Sequence, residues 1–183
     1  MNRTVLAFSS LAAAALCAGA SATVVDITYN GMGYFETISI TSPGYSGGVN
    51  AGQMLLTAAN SSDTNAFANG SYIAYCGDYY QNSNTGPNPY SVVGVDLIPN
   101  NAPMGAAKAA AIGELYAFAG GAQYGVDSAY ACAFQLAIWE VIADYNTIDP
   151  SSGAFSASGY SAQAGIYLAA LLGSLDGSGS ANI

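Results

Sequence analysis

The chain of 183 residues contains no histidine and only two cations, Arg3 and Lys108. Without histidine there is no Ser-His-Asp triad, no Cys-His dyad and no histidine-ligated metal. Of the three cysteines only Cys76 and Cys132 follow the N-terminal apolar run, too few for a four-cysteine zinc site. No Asp-rich loop has the spacing of an EF-hand calcium site. The expectation is therefore no metal and no cofactor. So few cations cannot neutralise a run of phosphates, which argues against nucleic acid and anionic membrane surfaces as partners. Eleven acidic residues set the formal net charge at −9. They offer many carboxylate pairs, but no spacing marks one pair as the acid and base of a glycosidase. The chain reads as a non-enzyme. Charged residues make up only 7% of it, so its surface must be covered mostly by Ser, Thr, Asn, Gly and Tyr, as suits an extracellular surface or matrix protein.

What is present begins with an export signal. Arg3, an apolar run from Val5 to Ala18 and an Ala20-Ser21-Ala22 cleavage site make residues 1–22 a signal peptide, too short for a membrane span. Leu16 before Cys17 is not the small residue of a lipoprotein site. Removing the signal takes Arg3 away and leaves the mature chain one charge more negative, with no transmembrane segment. Residues 23–172 are long enough for one domain with its own core, and 173–183 (GSLDGSGSANI) read as a flexible Gly/Ser tail.

The first part of the domain is strand-like. Val24–Tyr29 and Tyr34–Thr41, split by Asn30-Gly31-Met32-Gly33, predict a hairpin. Pro43-Gly44 and Gly47-Gly48 predict the next loop, and Gln53–Thr57 a short strand. A polar loop follows with Asn-x-Ser sequons at Asn60 and Asn69. Ser71–Tyr75 is a strand leading into Cys76, and Tyr90–Leu97 the last strand. Three helices then follow: Met104–Phe118 opened by Pro103, Ser128–Tyr145, and Ser161–Leu172 with Ile166, Leu168 and Leu171–Leu172 turned inward. The layout is α+β, an N-terminal antiparallel sheet or sandwich with a C-terminal three-helix part.

The middle helix is the one the chain is built around. Asp127 and Ser128 are capping types, and two apolar stripes run side by side, one of them Cys132, Gln135, Trp139 and Ile142. Glu140 and Asp144 are left as its wet edge. An amide on such a buried face, Gln135, needs hydrogen-bond partners or a chemical task. Asp63, Asp96 and Asp149 are most simply solubility charges.

Gln135-Leu136-Ala137-Ile138-Trp139 resembles the Q-x-A-I-W signature of bacterial Cys-Gln thioester domains, and Tyr75-Cys76-Gly77-Asp78 resembles their aromatic-Cys-x-Asp motif. The longer string FQLAIWEVI is similar to the QLAIWE segment of secreted PEP-CTERM surface proteins of Gram-negative bacteria. The likeness spans roughly Tyr34 to Leu172, with Phe134 where thioester adhesins usually carry Thr and Gly77 where an aliphatic residue is usual. The resemblance implies an internal thioester between Cys76 and Gln135, shielded or oriented by Tyr75, Asp78 and Trp139, with Tyr79 and Tyr80 adding aromatic cover. It further implies a secreted or cell-surface adhesion module that attaches covalently to an amine or hydroxyl of a surface or matrix macromolecule. A second reading stays open. An exported chain with two cysteines is ordinarily a one-disulfide chain, so a Cys76–Cys132 bond would make the domain a non-reactive structural or binding module.

Overall fold

The computed structural model describes residues 3–4, 22–78, 85–99, 102–120, 127–145 and 149–175. Two long strands dominate it. β2 (Val24–Ser42) and β3 (Tyr45–Ala59) run antiparallel over nearly their whole length, preceded by the two-residue β1 (Arg3–Thr4). The hairpin turns at Pro43-Gly44, where proline presets one backbone angle and Gly44 supplies a φ of 86°, the order a type II turn requires. The turn expected at Asn30–Gly33 is instead an irregular stretch of one continuous strand. Register shifts between Tyr29 and Gly31, and again between Met32 and Phe35, each leave one extra residue on β2. Glycine signals backbone irregularity in a turn and in a bulge alike. The unbroken strand beside it decides which.

The sheet order is β1-β5-β2-β3-β4, with β4 spanning Gly70–Ala74 and β5 Asn88–Ser91. The short β6 (Ser156–Ser158) joins the turn end of β2. All pairings are antiparallel except β1 with β5. Side chains alternate along β3, so Val49 and Ala51 face one side and Leu56 and Ala58 the other. Each side has its own core. A large one packs Ile38, Ile40 and Ala51 against the helices, and a smaller one gathers Val25, Ile27, Leu56, Ala58, Phe67, Ala74 and Tyr90. The strand expected over Tyr90–Leu97 ends at Ser91 because the chain changes sides there. Val92 packs on the small core, Val93 and Val95 on the large one, and Val95–Leu97 coil into a 3₁₀ turn.

The helices are α1 (Gly105–Phe118), α2 (Ser128–Asp144) and α3 (Ala162–Gly173). Asp127 caps α2 by accepting from the Tyr130 N–H at 2.8 Å, and Ser161 caps α3 by accepting from the Ala164 N–H at 3.1 Å. Every residue of α2 from Ala131 to Ile142 is buried, between the sheet on one side and α1 and α3 on the others. Each buried Phe, Leu, Ile or Val on it contributes roughly 1.5–3 kcal/mol of hydrophobic stabilisation. On α3, Leu168 and Leu171 turn inward as expected, but Ile166 is 62% exposed. The helix runs through Gly173, and Ser174 Oγ closes it by donating to the Leu171 carbonyl at 2.7 Å. The signal-peptide residues other than Arg3, Thr4 and Ala22, and positions 176–183 of the tail, lie outside the described residues. No described helix is long and apolar enough to cross a membrane.

Candidate functional site

At the end of β4 the chain leaves the sheet and turns towards α2. Ala74 still belongs to the small core, whereas Tyr75 is buried in the large one, its ring edge-on to Phe134 with centroids 4.9 Å apart. The Tyr75 phenol hydrogen-bonds the Gln53 side chain, and burial raises its pKa. Gln53 in turn accepts from the Tyr34 N–H at 3.2 Å, beside the second bulge of β2. Tyr75 is thereby fixed at both ends, and the residue after it arrives at α2 in a defined position.

That residue is Cys76, and its partner is Gln135. The Cys76 N–H donates to Gln135 Oε1 at 2.7 Å, and Gln135 Nε2 donates back to the Cys76 carbonyl at 2.8 Å. Two segments 59 residues apart are thus joined by a closed two-bond pair. Gln135 is 1% exposed, so this pairing answers the question its sequence position raised. The Cys76 thiol donates to the Asp78 carbonyl at 3.2 Å. Burial pushes its pKa up to about 11, only partly offset by a backbone hydrogen bond from Asp78 and by the neighbouring Trp139 indole, while the Asp78 side chain adds to the rise. At neutral pH the sulfur is a protonated thiol beside the Trp139 indole, on a residue whose backbone is paired with the Gln135 carboxamide.

Cys132 lies on the same stripe of α2 but has different company. Its thiol is wholly buried beside Glu36 of β2, and burial together with that carboxylate holds it up at about 12. Glu36 itself accepts from the Ser161 N–H at 2.7 Å and the Ser161 hydroxyl at 2.6 Å, tying β2 to the start of α3. Cys76 and Cys132 are unlinked thiols. Of the proposed cover, Trp139 is 3% exposed and packs on Phe155 at 6.2 Å, while Asp78 lies beside the thiol with its backbone carbonyl as the contact. Tyr79 and Tyr80 lie outside the described residues.

The expected wet edge of α2 is wet only in part, at half-buried Asp144. Glu140 is fully buried, with Oε1 accepting from the Asp149 N–H at 2.7 Å, and Asp144 Oδ2 accepts from the Phe155 N–H at 2.8 Å. These carboxylates hold the backbone of Asp149 and of Phe155, ahead of β6. Asp149 is no mere solubility charge either, since it accepts from the Ser151 N–H and the hydroxyls of Ser151 and Ser152. Asp63 likewise accepts from the N–H groups of Asn65 and Ala66. The residues whose role the sequence did not show, Glu36, Gln53 and Glu140, share one trait: a polar side chain bonded to a backbone or side chain of another segment. Among the described residues no group of three or more His, Cys, Asp or Glu side chains is arranged to hold a metal ion. No family model, curated protein or solved structure matches the chain.

Proposed function

We propose that this chain is a secreted bacterial surface or matrix adhesion module that forms an internal thioester between Cys76 and Gln135. The observation that carries this reading is the closed pair between the Gln135 carboxamide and the backbone of Cys76. Amide and thiol belong to residues already held together, so the entropy of bringing them into reach has been met by folding. Such fixed proximity supplies effective molarities of about 10⁵ M or more. In the forming step the Cys76 sulfur attacks Gln135 Cδ, the carbon–nitrogen bond breaks, and ammonia leaves with the thiol proton. The Cys76 N–H already points at Gln135 Oε1, the oxygen on which negative charge develops, and serves as its oxyanion donor.

Burial around the pair restricts water, the competing nucleophile. An amine or hydroxyl of a surface or matrix macromolecule then attacks the same carbon and becomes covalently bound to Gln135, releasing the Cys76 thiol. The molecule's share of Ser, Thr, Asn and Gly, and its scarcity of charge, agree with export and a place outside the cell.

Intact mass of freshly purified protein tests the reading. A thioester lacks one ammonia relative to the sequence and takes up one methylamine with release of one thiol. Recovery of Cys76 and Cys132 as a single linked peptide, with no methylamine uptake, would replace the adhesion module by the disulfide-stapled structural one.

A further inference from the structure

We propose that the Trp139 indole N–H is the donor that stabilises negative charge on the Cys76 sulfur as the thioester carbon–sulfur bond breaks, an assignment that rests on the thioester reading. Trp139 is nearly fully buried, and its Nε1 meets no hydrogen-bond partner among the described residues. An unsatisfied donor in a core is destabilising, and phenylalanine would fill much of the same space without it. Gln135, one turn earlier on α2, clasps the Cys76 backbone and so brings Cys76 to the Trp139 ring, whose N–H favours the ionised sulfur against the effect of burial. In the resting thiol the sulfur is a weak acceptor, and its own S–H is turned to the Asp78 carbonyl. Charge on the sulfur changes that, because an ionised acceptor makes a markedly stronger hydrogen bond.

The sulfur of a thioester is likewise an uncharged, weak acceptor, so the N–H is idle in the ground state and engaged when charge develops, which is the condition for lowering a barrier. Two donors then address the two atoms that gain charge. The Cys76 N–H serves Gln135 Oε1, and the Trp139 N–H serves Cys76 Sγ. In the bond-breaking step an amine nitrogen attacks Gln135 Cδ, the carbon–sulfur electron pair moves to Sγ, and the surplus amine proton ends on sulfur. The products are a substituted amide at Gln135 and a free thiol at Cys76. Trp139 transfers no proton.

Trp139→Phe tests this, since the ring remains and the N–H goes. Methylamine uptake and spontaneous hydrolysis, both read as thiol release, are expected to slow together by about tenfold, the effect of one hydrogen bond to a charged group. If Trp139 is cover alone, methylamine uptake stays unchanged and hydrolysis does not slow, which overturns the proposal. A second measurement is independent of the thioester. In Gln135→Ala/Cys132→Ser protein, which carries one free thiol, the pH profile of Cys76 alkylation by iodoacetamide should move upward by about one unit on Trp139→Phe. An unchanged profile overturns the donor. A shifted profile in a protein whose wild type retains its ammonia removes the donor's role in bond breaking, and the thioester reading fails separately on mass.

Discussion

Helix α2 buries two polar side chains five residues apart, and each clasps the backbone of another segment. Gln135 is neutral and holds Cys76 with both ends of its amide. Glu140 holds Asp149 with one oxygen, while the other is buried with no hydrogen-bond partner among the described residues. The same structural task is thus done once with full satisfaction and once by half. Burial pushes the Glu140 carboxyl up to about 7, with nearby Asp144 and Asp149 adding to the rise and the Asp149 N–H opposing it. A buried amide tolerates any pH. A buried carboxyl makes its segment answer to it.

Trp139 stands between the two clasps, one turn beyond Gln135 and next to Glu140, so removing it strikes both. Trp139→Ala should destabilise the domain by about 3–5 kcal/mol, seen as a lower denaturant midpoint, and a loss near zero would mean the two clasps do not share a core. The next effect separates them by pH. Glu140 titrates near 7 in the folded protein against an ordinary value of 4.5. The stability it contributes is complete below its unfolded pKa and is lost as pH rises through the folded one. Urea melts between about pH 5 and pH 8 should show a loss on the order of 2–3 kcal/mol in wild type that Glu140→Gln largely abolishes. If the two proteins track one another across that range, Glu140 is charged throughout and the contrast with Gln135 disappears.

Gln135→Ala should cost less, roughly 1–3 kcal/mol, because the Cys76 N–H and carbonyl lose their partners. That deficit should be the same at every pH, in contrast to the Glu140 pair, and thermal melts at two pH values would check it. The smallest effect is expected at Gly153, whose φ of 104° is costly for a side chain and where a Cβ would come within 2.3 Å of Asp144 Oδ2. Gly153→Ala should lose about 1–2 kcal/mol and raise hydrogen exchange at the Phe155 amide, leaving exchange at Cys76 unaltered. Equal exchange changes at both amides would show that the two clasps act as one unit.

Much of the first clasp was legible in the sequence. Asp127 and Ser128 mark the start of α2, its apolar stripes mark burial, and an amide among them announces a need for partners. The strand leading into Cys76 is equally visible as Ser71–Tyr75. The second clasp was not legible, because Glu140 and Asp144 at helical spacing look the same whether water or a loop's N–H groups satisfy them. Only the path of residues 149–155 decides that, and it is a tertiary fact. The single long β2 was hidden for a related reason, since Asn30–Gly33 carries the residues of a turn and becomes a bulge only through the partner strand. Ile166 failed in the opposite sense, with apolar spacing on a helix that is covered on fewer sides than its sequence suggests.

Lys108 is the chain's one lysine, and its Nζ donates to the Ile142 carbonyl at 2.5 Å, in the last turn of α2. A protein proposed to carry a bond that amines cleave therefore has almost no amines with which to cleave it. The sole side-chain amine is tethered within its own fold, so neighbouring copies present few amines that could be acylated. Held close together, such molecules would be spared from welding to one another through lysine and left available for a foreign amine.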